Sequence, residues 1–249
     1  MQLSKGDVST ALIDADIMLY RAAWKHEGDD VENAYETVDA MFEHIFYVTK
    51  CVQYLGFLTG RGNFRKELAV TKEYKGNRKE MVMPEHFHAI RDYLLEAWEC
   101  KVVDGLEADD ALGICQSNMD KTIICSIDKD LLQIKGLHYN WNKGEVSRVD
   151  AFAARYMKWK QVLSGDSTDN IVGIPRVGDK TAEKILDKAL EDLVPMSVAV
   201  GEAYDNHFKD TVLSIDKMVE TFNLTTIATS TDDSRFKEPF IIPSPSYVF

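Results

Sequence analysis

The chain is predicted to be an α/β protein with a mainly parallel central sheet flanked by helices and a helical C-terminal region. Through the first 150 residues, short apolar runs alternate with amphipathic helical stretches, the pattern of a parallel sheet with crossover helices. From about Asp150 the texture turns to helices alone. The chain has 249 residues, 45% of them hydrophobic and 28% charged, which suits one large domain or one domain with a small appendage.

The apolar run Val8–Ile13 reads as a buried strand closed by Asp14, with a helix over Ile17–Lys25 behind it. Val31, Tyr35, Val38, Phe42, Ile45, Val48, Val52 and Leu55 recur at steps of three and four, so one long amphipathic helix is expected there. A short strand at Gly56–Thr59 precedes a basic stretch, and Pro84 opens a helix whose apolar face is Phe87, Ile90, Leu94 and Ala97. Val102–Val103, a helix from Glu107 and the strand Thr122–Ile127 continue the alternation, and Tyr139–Trp141 with Glu145–Val149 reads as a hairpin around Lys143-Gly144. One helix is expected to run to Leu163 and another to open near Thr168. The turn Gly173–Gly178 then leads into a third from Asp179, and a Thr-, Ser- and Pro-rich tail after Thr225 reads as irregular. The expected organisation is a core over 1–150 with a basic arch at about 61–98, a helical region over 151–225 and a tail over 226–249.

Cys51, Cys100, Cys115 and Cys125 are widely spaced and form no CxxC, so reduced core thiols are expected rather than a disulfide framework or zinc ribbon. No apolar run approaches the ~20 residues of a membrane span, and the N-terminus does not read as a signal peptide. A soluble cytoplasmic protein is expected, in the host cytoplasm if phage-encoded. The six histidines show no ligand spacing beyond His86-x-His88, which is read as exposed on a helix, and Trp98, Trp141 and Trp159 are read as core.

The net charge is −12, which by itself disfavours binding to a polyanion. Its distribution argues otherwise, because Arg61 to Lys79 holds seven basic residues and two acids. That stripe suits a polyanion held beside an acidic site.

Acids fall where an open parallel sheet places its sites, at the carboxyl ends of strands. Asp14 closes the first strand, Glu107, Asp109 and Asp110 open a helix, and Asp128 and Asp130 follow Thr122–Ile127. Asp166 and Asp169 form a further pair. Two carboxylates ~4 Å apart repel by about 4 kcal/mol at an effective dielectric of 20, so convergence of the set demands cations. Hard oxygen donors in that number suit Mg²⁺, with Mn²⁺ as a substitute, and not zinc. Two such ions are a device for in-line phosphoryl displacement. Asp16 is read as an ordinary helix N-terminal acid. The turn Gly173–Ala182, with glycines at both ends and Lys180 beyond, allows close backbone approach and a phosphate contact at the next helix start.

These residues resemble the 5′-nuclease superfamily, which includes flap endonucleases, the 5′-nuclease domain of DNA polymerase I and phage exonucleases. The resemblance runs in order through Asp14–Ala22, Asn63–Leu68, Tyr74–Arg78, Glu107–Asp110, Ser126–Leu132 and Gly165–Ala182. The segment Phe64-Arg-Lys-Glu-Leu68 looks most like the phage 5′-to-3′ double-strand exonucleases. The resemblance implies a PIN-like core and a metal-dependent 5′-to-3′ exonuclease acting on duplex DNA 5′ ends as a monomer. Flap endonuclease activity and RNA-strand cleavage in RNA–DNA hybrids are implied as further activities. It implies that Asp14, Glu107, Asp109, Asp110 and Asp128 surround one Mg²⁺, and Asp128, Asp130, Asp166 and Asp169 a second. Lys75 and Arg78, with Asp128 and Asp130, become the catalytic group at the scissile phosphate. Tyr74 stacks on a terminal base, Arg65, Lys66 and Lys72 lie in the same nucleic-acid-binding stretch, and Gly173, Gly178 and Lys180 form a helix-hairpin-helix that grips duplex backbone with K⁺.

The segment Phe57–Asn63 departs from the family by lacking an acid near Thr59 or Gly60. A non-catalytic DNA-binding relative is therefore the alternative. The short 78–107 stretch further implies a small arch that favours trimming of ends over long flaps. A dehalogenase-type phosphatase shares the Asp14-x-Asp16 and Gly165-Asp-x-x-Asp169 pattern, but the chain has Ile17-Met18 where that family has Gly-Thr.

Overall fold

The structure is a computed structural model that describes residues 1–79 and 81–248. In chain order its elements begin with β1 (Thr10–Asp14), α1 (Ala15–Lys25), α2 (Val31–Thr49), β2 (Gln53–Thr59), α3 (Arg65–Leu68), α4 (Phe87–Glu96) and β3 (Lys101–Val103). They continue with α5 (Ala108–Asn118), β4 (Thr122–Cys125), β5 (Gly136–Asn140), β6 (Glu145–Val149), α6 (Ala151–Ser164), β7 (Gly165–Asp166) and β8 (Ile171–Val172). The last are α7 (Asp179–Glu191), α8 (Met196–Phe208), α9 (Thr211–Thr225) and β9 (Ser246–Tyr247).

The chain divides into two compact units. A sheet unit comprises Met1–Asn63, Val82–Asp150 and Ile227–Phe249, and a helical unit comprises Phe64–Met81 and Ala151–Thr226. The stretch read as a basic arch is split, with Phe64–Met81 in the helical unit and the residues from Val82 in the sheet unit.

In the sheet unit the strand order is β3-β2-β1-β4-β5-β6, with β9 on β2. The β1–β2, β1–β4, β2–β3 and β4–β5 pairs are parallel, and β5–β6 and β2–β9 are antiparallel. The expected mostly parallel sheet is therefore present. β1 is buried along its whole length, as a central strand covered on both faces must be. On one face it packs Ala11 and Ile13 with α1, α2 and α4, and on the other Leu12 with α5. The chain winds outward from β1 through β2 and β3, then returns to β4 on the other side. The crevice beyond the carboxyl ends of β1 and β4 is thus a topological switch point, where open sheets bind ligands.

The helix expected to reach Leu55 stops at Thr49, where Lys50 turns left-handed at φ 53°. Gln53–Thr59 pairs in the sheet instead. Val52 and Leu55 continued the helical spacing by coincidence. The tail after Thr225 is mostly irregular but is tied down: Ile227 and Ala228 are buried against the α5 side, and Ser246–Tyr247 adds a strand to β2.

In the helical unit, α6, α7, α8 and α9 enclose a core of Val162, Leu163, Ile174, Leu186, Val200 and Tyr204. The helix expected near Thr168 is absent. Residues 165–172 form the β7–β8 hairpin, with Gly165 paired to Val172 and Asp166 to Ile171. Gly165 and Gly173 are the cause. A Cβ on Gly173 would lie 2.4 Å from Gly165 N, and one on Gly165 2.3 Å from Gly173 N, so only glycines permit the two strands to approach this closely.

A candidate acidic active site

Asp14 ends β1 and caps α1, its Oδ1 accepting from Ile17 N at 3.1 Å. Its Oδ2 accepts from Ser126 Oγ at 2.7 Å, and Ser126 Oγ in turn accepts from Asp128 N at 2.9 Å. Asp130 N donates to Asp128 Oδ1 at 2.8 Å. This chain of bonds crosses from β1 to the loop after β4, at the switch point. Burial raises the Asp14 carboxyl to about 7; the Ser126 and Ile17 bonds oppose the rise, and the Asp16 and Asp128 charges add to it.

Asp16, read from sequence as a helix-start acid, has a larger part. Both its oxygens accept from Thr59 N, at 3.2 and 3.0 Å. Burial raises its carboxyl, against the Thr59 bonds and the Arg91 guanidinium, and Glu107 repulsion adds to the rise. Thr59 and Ser126 were likewise missed. The only sequence signal for them was their place at the last turn of an apolar run beside the named acids.

The start of α5 is closed by a capping box between Glu107 and Asp110. Asp110 is fully buried, and its oxygens accept from Glu107 N at 3.1 Å and Ala228 N at 3.0 Å. Asp110, expected as a metal ligand, here serves backbone amides with both of its oxygens. Asp109, one residue earlier, is half-buried.

Position 60 carries no acid, and the fold forbids a side chain there. A Cβ on Gly60 would lie 2.2 Å from Asp104 Oδ1 and 2.7 Å from Val103 O. Carboxylates occupy the region from elsewhere: Asp16 on Thr59 N, and Asp104 on Arg61 N at 2.7 Å.

Among the described residues, no three His, Cys, Asp or Glu side chains converge closely enough to hold a metal ion. The donors nevertheless fit a divalent cation by chemistry. Asp14, Asp16, Asp128 and Glu107 are hard oxygen donors; the Asp16 and Asp128 charges add to the rise at Asp14 and the Glu107 charge to the rise at Asp16, and a cation relieves that repulsion.

In the helical unit, Asp169 is the hub. Its carboxylate accepts from Tyr74 Oη at 2.8 Å and from Arg78 at 2.5 Å, and Lys75 Nζ lies 3.7 Å away. Asp166 Oδ1 accepts from Thr168 N at 2.8 Å. The predicted catalytic pair Lys75 and Arg78 is thus brought together. Three residues expected to bind nucleic acid are engaged within the protein itself. Tyr74 is buried with its hydroxyl on Asp169, so its ring is not presented for stacking. Arg65 is buried and donates to Leu224 O at 2.9 Å and Thr226 O at 3.1 Å, serving the carbonyls at the end of α9. Gly173 is buried against its own chain. Lys66, Lys72, Gly178 and Lys180 are exposed.

Residues 9–160 match the 5′-3′ exonuclease, N-terminal resolvase-like domain family. The chain belongs to this family. An exodeoxyribonuclease of Enterobacteria phage T3 is 36% identical over 132 residues, covering 50% of this chain and 43% of that protein. DNA polymerase I of Bacillus subtilis is 31% identical over 187 residues, covering 64% of this chain and 21% of that protein. The chain thus spans less than half the length of either relative. The fold of this 5′-3′ exonuclease family member is shared with the T5 D15 protein co-crystallised with metal ions, at TM-score 0.60, 16% identity and coverage of 87% and 90%. The catalytic core of Rad2 in complex with DNA aligns at TM-score 0.56 and 17% identity, covering 96% of this chain and 82% of that one.

Proposed function

We propose that the protein is a divalent-metal-dependent 5′-to-3′ exonuclease that hydrolyses phosphodiester bonds at duplex DNA 5′ ends, with flap cleavage and RNA-strand cleavage as secondary activities. The observation that carries this reading is the Asp14 carboxylate, buried at the switch point with its carboxyl raised to about 7 beside Asp16 and Asp128. A cation would offset the cost of holding that carboxylate charged, and membership of a 5′-3′ exonuclease family supports phosphodiester hydrolysis as the chemistry. Asp14, Glu107 and Asp128 would hold Mg²⁺, with Asp109 and Asp130 as outer donors. The cation would supply an activated water and charge neutralisation at the phosphate.

The protein's own groups do the rest. Ser126 holds Asp14 and the Asp128 backbone in one arrangement. Lys75 and Arg78 are poised on Asp169 and would meet a phosphate with two cationic donors. The exposed Gly178 and Lys180 at the start of α7 suit the duplex backbone in a helix-hairpin-helix manner, with K⁺ as a structural ion. A cytoplasmic monomer is the setting this reading assumes. Among the described residues no helix is long and apolar enough to cross a membrane.

The test is digestion of 5′-labelled and 3′-labelled duplexes with Mg²⁺ or with EDTA, beside Asp128→Asn. Short 5′-labelled products that need metal and vanish in the variant are expected. Salt-sensitive DNA binding with no cleavage in Mg²⁺ or Mn²⁺ would hand the case to the non-catalytic DNA-binding alternative.

A further inference from the structure

We infer that Thr59 is a positioning residue for the acidic centre, holding Asp16, α4 and the acidic start of α5 in register at the carboxyl end of β2. This inference rests on the metal-dependent reading above. All three polar groups of Thr59 are used. Its amide donates to both Asp16 oxygens, at 3.2 and 3.0 Å. Its carbonyl accepts from Arg91 Nη2 at 3.1 Å. Its hydroxyl accepts from Ala108 N at 3.0 Å. One residue at the end of a strand therefore touches α1, α4 and α5.

The Ala108 bond matters most. Ala108 is the first residue of α5, directly after Glu107, and the opening amides of a helix have no acceptor within it. Here a strand side chain supplies the acceptor, so the place of Glu107 against β1 and β4 is set by Thr59 Oγ1 as well as by its own capping box. β-Branching restricts the threonine χ1 and so fixes the direction of the hydroxyl. The next residue cannot take over, since Gly60 has no room for a side chain. Thr59 reaches Glu107 through the adjoining Ala108 amide rather than by a direct bond, so its removal belongs at the low end of the 10- to 100-fold loss typical of groups bonded to a cation's ligands.

The experiment compares wild type, Thr59→Val and Thr59→Ser, reading Mn²⁺ affinity of the metal-free proteins by EPR titration, and KM and kcat for a duplex at varied Mg²⁺. Thr59→Val is expected to bind Mn²⁺ about tenfold more weakly. It should need correspondingly more Mg²⁺ for half-maximal cleavage, with KM for DNA unchanged. Thr59→Ser, which keeps the hydroxyl, should return both to within about twofold of wild type, which loss of packing alone would not produce. If Thr59→Val does not fold, Arg91→Met carries the same test, with a smaller loss in the same direction. Wild-type Mn²⁺ affinity in a folded Thr59→Val, or in the Arg91→Met substitute, overturns this inference alone. A wild-type protein that binds no Mn²⁺ overturns the metal-dependent reading and this one with it.

Discussion

Asp14 accepts from Ser126 Oγ and Ile17 N, and its carboxyl is still raised to about 7 because burial outweighs both bonds. The folded value lies above the ordinary 3.8. Between those two values the native state therefore holds more protons than the unfolded chain, and stability falls as pH rises from about 4 to about 7. Asparagine mimics the protonated acid. Asp14→Asn should raise the melting temperature of the metal-free protein at pH 8, with the gain shrinking as pH falls through 7 and gone near pH 4. Thermal melts in EDTA at a series of pH values check this. Excess Mg²⁺ should reverse the order, because binding to the native wild type alone stabilises it. The acids of this site were legible in sequence as types at strand ends. What each one does was not, because Asp110 and Asp16 differ only in what the fold places around them. Asp110 faces the Glu107 and Ala228 amides, and Ala228 is 118 residues away in sequence. Asp16 faces Thr59, a partner 43 residues away.

At the scale of elements, the Gly173–Gly178 turn read as one motif contains two glycines with different duties. A Cβ on Gly173 would meet Gly165 N at 2.4 Å, Leu163 O at 2.5 Å and the Ser164 carbonyl carbon at 2.5 Å, all backbone that cannot step aside. Around Gly178, at the N-cap of α7, nothing lies within 4 Å of that point. Gly173→Ala should therefore cost about 3 kcal/mol, the upper part of the usual range for overpacking, and lower the melting temperature by roughly 6–12 °C. Gly178→Ala should cost under about 1 kcal/mol of stability while weakening binding to duplex, if the α7 start approaches a phosphate. Calorimetry beside a DNA-binding isotherm separates the two. The same hairpin explains why the element expected near Thr168 was misread. The clash-free approach of Gly165 and Gly173 is a fact of the fold rather than of local spacing, and it locks residues 165–172 as paired strands. Where periodicity and burial agreed, as along β1 and α5, the elements were readable in advance. Where a positive φ intervened, as at Lys50, the boundary was not.

Over the whole molecule, a net charge of −12 must be reconciled with the proposed polyanionic substrate. The reconciliation lies in which cations remain free for phosphate. Arg65 is buried on the α9 carbonyls, and Lys79 is paired with Glu73 at 2.6 Å. Lys66, Lys72 and Lys180 are exposed and would carry the proposed contact with duplex. Each phosphate contact releases counterion and contributes about 0.9 to the slope of log K against log salt. Replacing Lys66, Lys72 and Lys180 by alanine, singly and together, should lower that slope by about 0.9 per lysine that meets a phosphate. The folded stability should change little, since exposed lysines hold no core. Arg65→Met should behave oppositely. It would leave the Leu224 and Thr226 carbonyls without their donor and destabilise the helical unit, and it should leave the salt slope unchanged so long as the protein is folded. Titration of a labelled duplex in EDTA at several salt concentrations, paired with thermal melts, reads both quantities on the same variants. A slope that drops with Arg65→Met and not with the lysines would place the duplex on a different face of the basic segment from the one its exposed side chains mark out.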